Sequence, residues 1–304
     1  MTKQTGALAW VLMAVLSLIW GSSFILIKRG LDVFSAGEVG AIRIVAASVF
    51  LLPIAIHGMK KVQKKDWFLL LCVGFFGSFI PAFLFAKAQT QIPSSVAGIL
   101  NALTPLFTMI IGAVFYSQKF TPRTVLGLII GFGGTVVLIL AGTGGDLSAL
   151  NYYALLVVLA TIFYGANLNL IKFKIPDLNA RTITSISLAL VGPLGIVYLF
   201  FMTPFVEKLT SVEGAYFSLG AIVLLGIMGT AIALILFNQL VKMTTPIFTS
   251  SVTYLIPIVA VIWGILDGEQ LFLGHYLGMT AIIFGVYLAN RKKKPVQPAQ
   301  VPKG

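Results

Sequence analysis

Long apolar runs separated by short polar segments fill the chain from residue 7 to residue 290. A bilayer core about 30 Å thick needs roughly 20 apolar residues for each helical crossing, so runs of this length are typical of membrane spans. The pattern therefore predicts an all-α integral membrane protein with ten transmembrane helices. Their predicted ranges are 7–28, 36–57, 67–88, 94–117, 123–141, 151–172, 181–203, 216–240, 246–266 and 273–290.

Composition supports the same class of protein. Hydrophobic residues make up 58% of the 304 positions and charged residues only 10%, against roughly a quarter charged in soluble domains. Cys72 is the single cysteine, which excludes an intrachain disulfide and a cysteine metal cluster. His57 and His275 stand alone without multi-ligand spacing. We therefore expect no metal, no cofactor and no catalytic residues.

The net charge of +12 could indicate a nucleic-acid partner, but the basic residues follow the predicted loops instead. Sixteen lie on one side of the predicted membrane, and only Lys28, Arg29, Lys87 and Lys208 lie on the other. The positive-inside rule then places both termini in the cytoplasm of a multi-pass protein of the cell inner membrane. The expected partners are the lipid bilayer and a small-molecule substrate, with no nucleic acid, and the chain is expected to be a monomer or homodimer.

The second half of the chain repeats the first. Matched residues are 144 positions apart in the first and sixth segments and 152 apart in later segments. This spacing indicates duplication of about 150 residues. The predicted units are 1–145, 146–290 and a basic, disordered cytoplasmic tail, 291–304. The matches include Trp20 with Tyr164, Gly77 with Gly229, Ser78 with Thr230, Phe85 with Phe237, and Pro105 with Pro257.

Each half contains five predicted helices, which is an odd number. The second half must therefore cross the membrane in the opposite sense, which gives two inverted five-helix repeats. Secondary transporters use inverted repeats to open a central site alternately to the two sides. The repeat thus predicts transport by alternating access.

Several ordered motifs carry a family resemblance. They are Ile19-Trp20-Gly21-Ser22-Ser23-Phe24, the intramembrane Arg43, Pro105 followed by Gln118, and Pro257 followed by Gly268-Glu269. Together they resemble the drug/metabolite transporter superfamily and, within it, EamA-type permeases with two EamA repeats. The resemblance covers nearly all of the chain up to about Asn290. It implies export of amino acids or other small metabolites, by facilitated movement or proton coupling.

Two charged residues are candidates for function. Arg43 lies about two turns inside the second segment, and an unpaired guanidinium in lipid would cost several kcal/mol. It must face protein or water, where it either binds an anionic group of the substrate or anchors helix-end carbonyls or Glu38. Glu38 either acts as a coupling carboxylate or lies solvated at the outer boundary.

Polar and aromatic residues at corresponding positions of the two halves are the remaining binding candidates. Each also has a structural alternative, as packing or membrane-interface residues. Prolines inside spans free backbone carbonyls and can act as hinges, which predicts this role for Pro105 and Pro257. The predicted substrate-binding set is Trp20, Arg43, Lys87, Asn101, Tyr164, Asn167, Asn238 and Tyr254.

These patterns leave three functions to compare. A secondary transporter, most simply an exporter, explains the inverted repeat. An intramembrane enzyme would require a nucleophile and base or paired carboxylates within the spans, and none is visible in the sequence. A non-transporting scaffold leaves the repeat unexplained. Within transport, multidrug efflux and a uniport facilitator remain open.

Overall fold

A computed structural model describes residues 6–92, 94–143, 152–266 and 273–290, and all regular elements in these ranges are helices. The predicted tail 291–304 and Glu269 lie outside the described residues. We number the helices α1 (Ala7–Leu31), α2 (Ala36–Met59), α3 (Asp66–Ala88), α4 (Ser94–Asn101), α5 (Thr104–Tyr116), α6 (Pro122–Thr143), α7 (Ala154–Lys174), α8 (Ala180–Phe201), α9 (Phe205–Ser211), α10 (Ala215–Met243), α11 (Pro246–Ser250), α12 (Val252–Leu266) and α13 (Leu273–Asn290).

Within the described part of the chain, seven helices are long and apolar enough to cross a membrane: α1, α2, α3, α7, α8, α10 and α13. Shorter apolar helices cover Thr104–Tyr116, Pro122–Val137 and Pro246–Val259. The protein is therefore an all-helical, multi-pass membrane protein. The count of ten crossings stays a prediction.

Three of the predicted spans are interrupted helices, and the first has its break at Ser22, between Ala7–Gly21 and Ser23–Leu31. The fourth is interrupted between Asn101 and Thr104, and the ninth at Ser251. Pro105 lies in the first turn of α5, where its missing N–H leaves no helical hydrogen bond unmade. Pro257 lies inside α12 instead, so the two matched prolines occupy different positions relative to the breaks.

Helices α3 and α10 each contain a stretch of π-helix, at Phe75–Phe79 and Leu225–Ile232. The two stretches overlap when the halves are aligned at the offset of 152 residues. Such wider turns are uncommon and frequently lie at functional sites. Hydropathy carries no signal for them, and the sequence did not predict them.

Helices α6 and α13, the last helices of the two halves, pack on each other through glycines. A Cβ added to Gly285 would lie 2.4 Å from the backbone nitrogen of Gly131, and one on Gly134 would lie 2.7 Å from that of Ile282. Gly127 approaches Ala289 in the same way. Position numbers rise along α6 as they fall along α13, so these equivalent helices are antiparallel.

Helices α2 and α8, another equivalent pair, also pack antiparallel. Gly37 lies against Tyr198 near one end, and Gly58 lies against Thr182 near the other. Small residues let the backbones approach closely, as is usual in membrane interfaces.

Lipid-facing and buried surfaces differ as expected for a membrane solvent. Large apolar side chains such as Phe115 and Phe201 are exposed on the outside of the bundle. Buried hydroxyls bond carbonyls of their own helices, as Ser17 Oγ does to Met13 O at 2.8 Å. These bonds satisfy polar groups that lipid cannot.

Candidate functional site

A central cavity of about 90 Å³ lies where α1, α2, α3, α4, α5, α7, α10 and α12 meet. Five of the predicted binding residues line it. They are Trp20, Arg43, Asn101, Tyr164 and Asn167.

The lining of the central cavity is paired across the two halves. Fourteen of its eighteen residues form seven pairs at the repeat offsets of 144 or 152 residues. Equivalent positions of both halves therefore line the cavity. The pairs are Trp20 with Tyr164, Ser23 with Asn167, Gly77 with Gly229, Ser78 with Thr230, Phe85 with Phe237, Asn101 with Thr253, and Thr104 with Ile256.

Aromatic contacts follow the same pairing. The Trp20 ring lies 5.0 Å from Phe237 in an edge-to-face arrangement, and the Tyr164 ring lies 6.1 Å from Phe85 and nearly parallel to it. Trp20 Nε1 also donates a hydrogen bond of 2.8 Å to the carbonyl of Gly229, in the π-helical stretch of α10. Both halves thus supply aromatic rings to the cavity wall. The Trp20 ring, from the first half, is also hydrogen-bonded to the second half.

Arg43 is the charged residue among the cavity-lining residues. Its Nε donates to Thr230 Oγ1 at 2.6 Å. The main chain is held in place as well, because Gly226 lies against the Arg43 carbonyl, 2.7 Å from where a Cβ would be. The matched position in α8 is Ser187, whose carbonyl receives Gly74 in the same way. The backbone contact is symmetric, and the charge is not.

Asn167 is 4% exposed and lines the cavity beside Gly77. A Cβ on Gly77 would lie 2.5 Å from Asn167 Nδ2, so glycine leaves the room that the amide occupies. Its Oδ1 is buried and accepts no hydrogen bond from the residues that the structure describes. At Asn101, in contrast, Thr104 Oγ1 donates to the backbone carbonyl at 2.7 Å and lies 3.4 Å from the side-chain oxygen Oδ1.

Three other predicted binding residues lie outside the lining of the central cavity. Lys87 is exposed, with Nζ 5.9 Å from the centroid of the Tyr153 ring. Asn238 Nδ2 donates to Thr184 Oγ1 at 2.8 Å, and Tyr254 Oη donates to the Leu128 carbonyl at 2.9 Å. Asn238 and Tyr254 each follow a lining residue by one position, and one residue turns a helix by about 100°. Their side chains consequently face neighbouring helices.

Glu38 is fully buried, so the expectation of a solvated boundary residue was wrong. It closes a capping box at the start of α2, accepting from the Ser35 backbone N–H at 2.7 Å. The salt bridge of Glu38 is with Lys208 of α9 at 2.6 Å, and Arg43 bonds Thr230 instead. The coupling role of Glu38 and the hinge roles of Pro105 and Pro257 stay predictions.

Five of the hydroxyl residues that line the cavity were not predicted from the sequence. Ser23, Ser78, Thr104, Thr230 and Thr253 line the cavity, but isolated hydroxyls in apolar spans give no distinctive signal. Two of them were already visible as a matched pair, Ser78 with Thr230. The repeat offset, applied to every polar position, would have found them. Among the described residues, no three His, Cys, Asp or Glu side chains gather to hold a metal.

A second, larger cavity of about 330 Å³ lies between α5, α7 and α13, with Lys119 and Asn290 in its lining. A hydrogen bond between α5 and α7 joins two of its lining residues. Asn169 Nδ2 donates to the Thr108 carbonyl at 3.0 Å. The carbonyl of Gly165 accepts from the same nitrogen at 2.9 Å.

Two lysines bind the ends of α7 and α10 together beside this cavity, and we call this region the lysine end. Lys172 Nζ donates to the carbonyls of Val241, at 2.9 Å, and Thr244. Lys242 Nζ donates in return to the carbonyl of Ile175. Cations at helix C-termini satisfy the last carbonyls and interact favourably with the helix dipole. Each lysine thus caps the helix that carries the other.

Comparisons with known proteins agree with this architecture. The EamA-like transporter family matches residues 7–140 and again 151–291. An uncharacterized transporter of Archaeoglobus fulgidus is 27% identical over 286 residues, which cover 93% of this chain and 99% of that protein. The uncharacterized inner membrane transporter YedA of Escherichia coli is 26% identical over 302 residues, covering 94% of this chain and 92% of YedA.

Two further similarities add detail. A probable terminal-alkyne amino-acid exporter of Streptantibioticus cattleyicolor is 25% identical over 281 residues, covering 90% of each chain. A solved crystal structure shares the fold with a TM-score of 0.70 at 16% identity, over 93% of this chain and 96% of that one. Because the family matches almost the whole chain in two successive repeats, this protein belongs to the EamA-like transporter family.

Proposed function

We propose that this protein is a secondary transporter that exports small metabolites such as amino acids across the cytoplasmic membrane, with both termini in the cytoplasm. The observation that carries the proposal is the central cavity, because matched residues of both halves line it. A binding site on the axis between two repeats is where transporters of this kind hold their cargo. The exporter named among the relatives supports the direction.

The proposed mechanism is alternating access between two inverted repeats. Its support is the antiparallel packing of equivalent helices, α6 with α13 and α2 with α8. Two equivalent helices that both span the bilayer and run antiparallel enter it from opposite sides. Rocking of one half against the other around a fixed site would then open the cavity to each side in turn.

Facilitated export down a gradient fits this cavity better than proton coupling. Among the described residues, no carboxylate lines the central cavity, and Glu38 is held by Lys208 and Ser35. We therefore propose a uniport or exchange mechanism in which the substrate gradient supplies the free energy.

Counterflow into proteoliposomes tests the function without assuming a direction. Ile27 lines the central cavity, whereas Ile25, on the same helix, is 58% exposed on the outside of the bundle. Ile27→Trp should abolish saturable flux of amino acids and related acids by filling the cavity. Ile25→Trp should leave it at the wild-type level. Equal flux through both monodisperse variants would place the transport pathway elsewhere.

A further inference from the structure

We propose that the central cavity recognises a small molecule with one carboxylate, held by the Arg43 guanidinium, and a hydrogen-bond donor, received by Asn167. The inference rests on the proposed function, because it names the class of substrate for the same site. Its support is a charge without a counterion and an acceptor without a donor, both judged among the residues that the structure describes.

The charge argument starts from the chemistry of arginine. A guanidinium stays protonated in proteins, and a charge away from water is costly unless it is paired. None of the six carboxylates in the described part of the chain lines the cavity with Arg43. Glu38 pairs with Lys208, Asp32 pairs with Arg29, and Asp66 accepts from the Gln63 backbone N–H. Asp177, Glu207 and Glu213 are exposed.

The two terminal nitrogens of the Arg43 guanidinium are left for a ligand. Thr230 receives the Nε hydrogen bond, and within the described residues no other hydrogen bond of this side chain is found. The two terminal nitrogens form a fork that matches the two oxygens of a carboxylate. Thr230 therefore acts as a positioning residue, which fixes the plane in which the fork lies.

Asn167 supplies the complementary requirement. Its Oδ1 is buried and has no donor among the described residues, and an unmade hydrogen bond of this kind is costly. A ligand ammonium or hydroxyl group would satisfy it. Both amino acids and hydroxy acids carry a carboxylate and a donor on the same carbon, so both belong to the proposed class.

The rest of the cavity limits the size and polarity of the substrate. Phe24, Leu234 and Ile256 contribute apolar surface. The volume of about 90 Å³ is well below the roughly 300–1,000 Å³ of drug-sized sites. We infer a compact apolar body beside the polar carbon.

Matched ligands test the proposal on the unaltered protein. Valine, its hydroxy-acid analogue, its des-amino analogue isovalerate, and valinamide differ in one group each. We would measure how each ligand raises the melting temperature of the purified full-length protein, together with counterflow. Valine or the hydroxy acid should bind most tightly, isovalerate more weakly, and valinamide not measurably. Binding of valinamide equal to that of valine, or binding of none of the acids, would overturn the proposal.

Variants assign the two contacts. Arg43→Gln should weaken binding of every acid, on the order of tenfold to a hundredfold, because charged hydrogen bonds are lost. Arg43→Lys should restore part of it. Asn167→Leu should weaken valine and the hydroxy acid but leave isovalerate unchanged, and an equal loss for all three would remove Asn167 from recognition. Thr230→Val should weaken acids while Thr230→Ser keeps their affinity.

The two readouts separate the levels of the proposal. Carboxylate-dependent stabilisation that Arg43→Gln removes, without counterflow, would retain the binding class and refute transport. Counterflow of valinamide that is insensitive to Arg43→Gln would retain transport and refute the class.

Discussion

The two halves of this protein build the same frame but different chemistry. Each contributes seven matched residues to the central cavity, and the carbonyls of Arg43 and Ser187 receive glycines in equivalent contacts. Only at Arg43 does this shared position carry a charge. Duplication thus explains where the site lies, and the differences between the copies explain what it can recognise.

The same comparison applies to the two ends of the bundle. At the lysine end, Lys172 and Lys242 cap each other's helices. Their first-half counterparts at the repeat offsets are Lys28 and Thr90, and both are exposed. The matched residues therefore do not reproduce the mutual capping of the lysine end, and at the other end a different charged contact, the Glu38–Lys208 salt bridge, joins α2 and α9.

The largest expected effect concerns the contact that relates the halves. Gly134→Ala should destabilise the protein by about 3 kcal/mol, at the upper end for overpacking, because the new methyl group would lie 2.9 Å or less from backbone of α13. Gly133→Ala on the same helix is the control. That residue is exposed with nothing within 4 Å of an added Cβ, so its effect should stay below about 1 kcal/mol.

Denaturant unfolding of both variants in detergent measures this difference. Equal stability of Gly134→Ala and Gly133→Ala would show that α6 and α13 do not approach as closely as described. The antiparallel packing of α6 on α13 would then lose its support.

The sequence predicted the class of fold and about half of the site for identifiable reasons. Hydropathy reports burial in lipid, so it located the apolar spans, and the repeat offset found Trp20 and Tyr164. The sequence did not show which side of a helix faces the cavity. Asn238 and Tyr254 were predicted to bind substrate, but the neighbouring residues Phe237 and Thr253 line the cavity instead. The salt bridge that accompanies the burial of Glu38 comes from Lys208, 170 residues away in the sequence, so no local pattern predicts it.

The second effect tests the difference between the ends. Lys172→Met should destabilise the protein by about 2 kcal/mol, since charged hydrogen bonds to helix-end carbonyls are lost. Lys28→Met, its matched control in α1, should change stability by less than about 0.5 kcal/mol, as exposed substitutions usually do. Thermal unfolding of the two variants measures both values. Similar losses would mean that both ends are fastened alike, and the proposed asymmetry between them would be wrong.

The smallest effect tests the aromatic walls of the central cavity. Trp20→Phe keeps an aromatic ring opposite Phe237 but removes the hydrogen bond to the Gly229 carbonyl, and we expect a loss of about 1 kcal/mol. Tyr164→Phe keeps the ring beside Phe85 and should cost less than about 0.5 kcal/mol, because no hydrogen bond of the Tyr164 hydroxyl is found among the described residues. Thermal unfolding of the ligand-free protein provides the comparison. A larger loss of stability from Tyr164→Phe than from Trp20→Phe would contradict this. It would mean that the hydroxyl of Tyr164, and not the indole of Trp20, makes the stronger hydrogen bond.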